Sequence, residues 1–145
     1  MTLTRPERTE FSENTPLHPL PSNNIVTHQF LEEHPNAVFV FGDNLLRKGT
    51  GGAAKLRHHP QSYGFITKKA PLYNLAVYYT PEEYLPVFLD EVEKLKNYID
   101  INLDKVFYIS PVGGGLANHF KIFEQIVAPR LKQLLSHYNN IVFLW

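Results

Sequence analysis

The stretch AVFVFGDNLLRKGTGG, Ala37 to Gly52, opens on five consecutive apolar residues and runs directly into a glycine-rich segment. A run without alternation suits a strand buried on both faces, as in a parallel sheet covered by helices. The same order returns in KVFYISPVGGGLAN, Lys105 to Asn118. Further strands are expected at Tyr63 to Thr67, at Leu75 to Tyr79 and at Asn140 to Trp145. Thr27 is placed to cap a helix through Glu33 that Pro35 closes, and Gly52 to His58 can form a short helix. Thr80-Pro81-Glu82-Glu83 reads as a capping box with proline at the first helical position. Behind it Tyr84, Phe88, Val92, Leu95 and Ile99 share one helical face. A last helix, Phe120 to Ser136, should be kinked or divided at Pro129. Strands alternating with helices in this way predict an α/β domain with a mostly parallel central sheet.

The chain has 145 residues, enough for one domain with a full core. Fourteen basic residues balance fourteen acidic ones, which argues against a uniformly basic nucleic-acid binder. The absence of cysteine excludes a disulfide scaffold, a Cys-ligated metal and a thiol nucleophile. With no apolar signal core and no run long enough to span a membrane, a soluble cytoplasmic protein is expected. Residues 1–23 carry Pro6, Pro16, Pro19 and Pro21 without any period and read as an arm. Its apolar members Phe11, Leu17 and Leu20 are candidates for docking it on the domain, residues 24–145.

Both glycine segments follow a buried strand. Parallel neighbours would open both onto one edge of the sheet, the edge at which ligands of such folds bind. Each also leads toward a helix N-terminus, where free amides favour an anion. Six basic residues and no acid lie between Leu45 and Lys69, whereas Glu82 to Asp104 holds seven acids. The basic stretch suits an anionic ligand or is a solvated face. No G-x-x-x-x-G-K-[ST] occurs. Gly49 to Ala54 satisfies G-x-G-x-x-G/A but stands seven residues beyond its strand, with no acid about 20 residues later, so a dinucleotide cofactor site is a poor match. No cofactor is expected.

FVFGDNLLRKGTGGAAKLR, Phe39 to Arg57, resembles the first ligand loop of macrodomains. ISPVGGGLANHF, Ile109 to Phe120, is similar to their second phosphate loop, and GFITKK, Gly64 to Lys69, to the strand-and-lysine segment of the branch that removes ADP-ribose from acidic residues and from DNA. The resemblance covers residues 37 to 145 and is closest to short macro-like proteins of bacteria and their phages. It implies a three-layer α/β/α fold that binds ADP-ribose or a related NAD-derived nucleotide. By position it places Gly42, Asp43 and Asn44 near the distal ribose, with Gly49, Thr50, Gly51, Gly52 and Ala53 along the diphosphate and that ribose. Val112, Gly113, Gly114, Gly115, Leu116, Ala117 and Asn118 form the second loop, whose amides wrap the diphosphate. Lys68 matches the lysine that attacks the anomeric carbon in the glycohydrolase branch. That branch carries an acid directly after G-x-G-L, where this chain has Ala117. Asp43 is the candidate to replace it if the fold brings it across the pocket. The early aspartate that reads adenine has no counterpart.

Several residues have plainer readings. Asn118 suits a helix cap, and Tyr63 and Phe120 suit core packing. His119 at a helix start can donate to a phosphate or serve as a polar terminus. His58-His59 lacks the spacing and third ligand of a metal site, so no metal is expected. The expected partner is an ADP-ribose-type molecule or an ADP-ribosylated macromolecule; nucleic acid bound through the Arg47 to Lys69 stretch is the less favoured reading. Binding alone and hydrolysis through Lys68 both remain open.

Overall fold

The computed structural model describes residues 18–145. Phe11 and Leu17, two of the residues expected to dock the arm, lie outside them. Within the described part Leu20 is half exposed and Pro21 is buried instead. The Tyr108 hydroxyl donates to the Pro19 carbonyl at 2.7 Å, which ties the end of the arm to the sheet.

Four strands, β1 (Ala37–Asn44), β2 (Ser62–Lys68), β3 (Val106–Ile109) and β4 (Ile141–Phe143), form one sheet in the order β2-β1-β3-β4. Every neighbouring pair is parallel. Residues alternate between the faces of a strand, and two core clusters follow. Val38, Val40, Phe107 and Ile109 pack on one face against α2 (Pro81–Asp100), whose stripe Tyr84, Phe88, Val92, Leu95 and Ile99 is fully buried. Phe39, Phe41 and Tyr108 pack on the other against Phe30 and Leu31 of α1 (His28–Glu33) and against Ala54 and Leu56. The chain is thus α/β, with an all-parallel sheet flanked by helical segments. Among the described residues no helix is long and apolar enough to cross a membrane.

The caps act as expected. The Thr27 side chain accepts from the Phe30 amide at 3.1 Å. Thr80 and Glu83 satisfy each other's backbone N–H groups at 3.3 and 3.0 Å, with Pro81 as the first residue of α2.

Two expectations need correction, and a third is met. Leu75 to Tyr79 is not a strand. Asn74 accepts from the Ala76 amide and starts a 3-10 turn at Leu75–Val77, leaving only a single antiparallel bridge between Lys68 and Tyr78. Gly52 to His58 is a 3-10 turn over Gly52–Leu56. Paired glycines at its start weaken it, and Pro60 disfavours helical geometry at His59. The last helix is divided into a π-helical turn, Phe123–Val127, and α3 (Leu131–Leu134). Pro129 has no N–H for the Gln125 carbonyl, and the Arg130 guanidinium donates to it instead at 2.9 Å.

The free edge of β2 is closed by α2. The Ile66 amide donates to the buried Glu91 carboxylate at 2.7 Å, and the Tyr84 hydroxyl donates to the Ile66 carbonyl. These bonds stand in for a missing strand neighbour and hold the approach to Lys68. Glu91→Ala should therefore destabilise the protein by about 1–3 kcal/mol, since it strands a buried donor. Glu91→Gln, which keeps an acceptor oxygen, should lose less; urea unfolding midpoints measure both.

Candidate functional site

The register of β1 and β3 decides where the glycine loops go. Val40 stands opposite Ile109, and the next residue, Ser110, donates to the Val40 carbonyl through its amide at 3.0 Å and its hydroxyl at 2.8 Å. Both loops therefore leave from the carboxyl ends of adjacent strands and close around one cavity of about 540 Å³. Of the residues singled out in the sequence, Gly42, Asp43, Asn44, Gly49, Thr50, Gly51, Gly52, Ala53, Lys68, Val112, Gly113, Gly115, Leu116 and Ala117 line it. A Cβ on Gly51 would meet the Leu116 side chain at 3.4 Å, so the loops touch across the mouth.

Gly114 and Asn118 do not line the cavity. The Gly114 amide donates to the Pro111 carbonyl at 2.9 Å and is spent on the turn. The Asn118 side chain accepts from the Phe123 amide at 3.0 Å and donates to Glu124 at the same distance, which is the capping role.

The first loop is held by side chains rather than by repeating backbone structure. Asp43, nearly fully buried, meets the Arg57 guanidinium at 2.7 Å and that of Arg47 at 3.1 Å, and accepts from the Asn44 amide at 2.8 Å. Arg57 also donates to the Gly49 and Lys48 carbonyls at 2.8 and 2.9 Å. The Asn44 amide group donates to the Lys48 carbonyl at 2.8 Å and accepts from the Leu46 amide at 3.0 Å. Gly64 makes room for this clamp, because a Cβ there would run into the Asp43 carboxylate. The geometry thus gives the Asp43 and Asn44 side chains the task of shaping the loop. Neither Asp43 oxygen is free to manage a proton for Lys68. Three of the six basic residues counted in the sequence are engaged internally, Arg47 and Arg57 by Asp43 and Lys69 by Glu83 at 3.5 Å.

The loop amides are free. Among the described residues, the N–H groups of Gly49, Thr50 and Gly51 in the first loop donate to no protein acceptor. The same holds for Gly113, Gly115, Leu116 and Ala117 in the second. Gly113 adopts φ +86°, a left-handed conformation that turns the chain at the cavity wall. Anion binding was expected to draw on helix N-termini. The first loop instead enters a 3-10 turn, and the second reaches its π turn only at Phe123, so loop backbone rather than a helix N-terminus borders the cavity.

Lys68 is the buried cation of the wall. Among the described residues it has neither an ion pair nor a hydrogen bond for its ammonium. Its Nζ lies 4.6 Å from the Tyr73 ring centroid and 5.2 Å from that of Tyr78, so two π faces stand in for a counter-ion. Burial lowers its pKa from the ordinary lysine value. Sequence reasoning did not single out Tyr73, which follows Pro71 on a loop without a period, nor Thr67 and Ser110, whose hydroxyls donate to strand carbonyls.

His28, Glu32 and His59 bring ligand-type atoms within 4.8 Å of one another, away from the cavity. The Gln61 amide donates to His59 Nδ1 at 3.1 Å, so the ring proton sits on Nε2 and is donated to Glu32 at 2.9 Å. A metal on Nε2 would move that proton to Nδ1, against the Gln61 N–H. The cluster fits a hydrogen-bonded pair better than a metal centre.

These contacts have opposite consequences for the two charged residues. Asp43→Ala leaves the half-buried Arg57 without its carboxylate and should cost about 2–4 kcal/mol in chemical denaturation. Lys68→Met removes a charge that burial disfavours and should raise Tm at neutral pH. The depressed pKa means that the folded state binds fewer protons, so wild-type stability should climb as pH rises toward the ordinary lysine value. The gain from Lys68→Met should shrink over the same range in thermal scans.

A search of curated proteins found no match, and a search of solved structures found none either. A family model described as a family of unknown function (DUF7831) matches residues 21–137, from the docked end of the arm through both loops and α3. The chain belongs to that family.

Proposed function

We propose that this protein binds ADP-ribose or a related NAD-derived nucleotide in the two-loop cavity, as a reader of ADP-ribosylated macromolecules or as a module that sequesters the free nucleotide. The observation that carries the proposal is the meeting, around a single cavity, of two sets of loop amides and one buried lysine that have no partner among the described residues. That arrangement suits a diphosphate with a sugar beside Lys68. In finer detail we read the fold as a macrodomain-like three-layer arrangement. The loop, strand-and-lysine and second-loop motifs support that reading by their order.

Hydrolysis is the second reading, and Lys68 is what favours it. A buried lysine with a lowered pKa holds more of its neutral, nucleophilic form near neutral pH. Attack by its Nζ on an anomeric carbon would break the glycosidic bond, and the leaving group would need a proton. The position of the branch's acid is Ala117, and Asp43 is held by Arg57 and Arg47. Those two facts favour binding over turnover.

ADP-ribose at 100 times its Kd should stabilise the protein by about 2.7 kcal/mol, read as a rise in Tm of several degrees. Incubation with ADP-ribosylated protein and DNA should release no ADP-ribose. Release that disappears in Lys68→Ala would replace binding by hydrolysis. The absence of a thermal shift with ADP-ribose and NAD would remove both readings.

A further inference from the structure

On the nucleotide reading above, on which this inference rests, a sugar lies beside Lys68. A macromolecule that carries this sugar has to lie across the mouth of the cavity. Tyr73 and Leu116 stand at that mouth. A Cβ on Gly51 would meet Leu116 Cδ1 at 3.4 Å and the Tyr73 hydroxyl at 3.9 Å, so both side chains reach the same point of the first loop. The Tyr73 ring centroid is 4.6 Å from Lys68 Nζ, yet the residue is 72% exposed. It covers the lysine on one side and meets solvent on the other.

The surface around the mouth is apolar. Among the described residues eleven large apolar side chains are exposed, and six of them stand on the three segments at this end of the sheet. Leu45 and Leu46 follow β1, Leu72, Tyr73 and Leu75 follow β2, and Leu116 belongs to the second loop. Backbone bonds hold the first two segments together. The Leu45 amide donates to the Lys68 carbonyl at 3.1 Å, and the Lys69 amide to the Val77 carbonyl at 2.9 Å. Aliphatic and aromatic side chains exposed together in this way mark a surface that associates with protein.

The charges argue against a nucleic-acid carrier. Arg47 and Arg57 pair with Asp43, and Lys69 meets Glu83 at 3.5 Å. Lys48 and Lys68 line the cavity, where a diphosphate would engage them. Of the six basic residues between Leu45 and Lys69 only Lys55 is then left over. One lysine is a poor footing for a polyanion, whose affinity comes from several phosphate contacts.

We propose that this rim is a docking surface for the polypeptide that carries the ADP-ribose, and that it selects modified residues flanked by aliphatic side chains. The cavity holds the nucleotide, and the rim reads its carrier.

The test is calorimetric titration of the full chain with free ADP-ribose, with an ADP-ribosylated peptide and with ADP-ribosylated single-stranded DNA. Leucine and valine flank the modified residue of the peptide. Both conjugates carry the nucleotide through a C-glycosidic bond, so no turnover competes with binding. The peptide should bind about tenfold more tightly than free ADP-ribose, and the DNA no more tightly. Aspartates in place of the flanking residues should remove the gain. So should Leu72→Ser combined with Leu75→Ser, two exposed positions outside the cavity wall, while free ADP-ribose keeps its affinity. A peptide bound no more tightly than free ADP-ribose would overturn the proposal, and so would a gain that survives the double variant or a DNA conjugate that outbinds the peptide. A dimer seen in sedimentation and lost in the double variant would assign the rim to a second copy of the chain and overturn it too. In all these cases the nucleotide reading would survive. Failure of all three probes to bind would remove that reading and the docking surface with it.

Discussion

The parallel register of β1 and β3 is the constraint on which the rest depends. Once Val40 stands opposite Ile109, Ser110 locks onto the Val40 carbonyl, and both chains leave the sheet side by side at one edge. Adjacent strands lie about 4.8 Å apart, so the two loops have no choice but to share a space. A shift of one residue would turn Val38, Val40, Phe107 and Ile109 away from α2, at the cost of a whole core face. Burial of that face therefore fixes the cavity as well as the sheet.

Within that frame the electrostatics divide into two parts. Asp43 pairs with both Arg57 and Arg47, and the two guanidiniums tie the carbonyls of Lys48, Gly49 and Gly64 to the first loop. The Lys48, Gly49 and Gly51 carbonyls are occupied, while the Gly49, Thr50 and Gly51 amides have no acceptor among the described residues. Lys68 is treated differently. It is held by aromatic faces and, among the described residues, has no anion paired with it, a condition that favours a ligand able to bring one. Such a cation costs stability in the absence of ligand, a common mark of a site kept for function.

Much of the framework was legible because it is written in short-range patterns. The apolar runs at Ala37 and Val106, the Thr27 cap and the Thr80 capping box all report on neighbours a few residues away. The meeting of the two loops followed from those strands and the rule for parallel sheets. What was not legible depends on partners distant in the chain. Nothing near Glu91 indicates that its carboxylate completes the edge of β2, 25 residues earlier. Nothing in the basic stretch separates Arg57, consumed by Asp43, from Lys48, which faces the cavity. Leu75 to Tyr79 has strand-like composition, and the Asn74 cap outweighs it. Asp43 and Asn44 line the cavity, and their side chains are engaged in building its wall, a role their short-range pattern did not show.

The central claim, that both glycine loops hold one anionic nucleotide by their amides, is tested most directly by amide chemical shifts during titration with ADP-ribose. The account predicts that Gly49 to Gly51 and Gly113 to Ala117 shift together, with a single affinity for the two groups. Shifts confined to one loop, or two groups that titrate with different affinities, would contradict it.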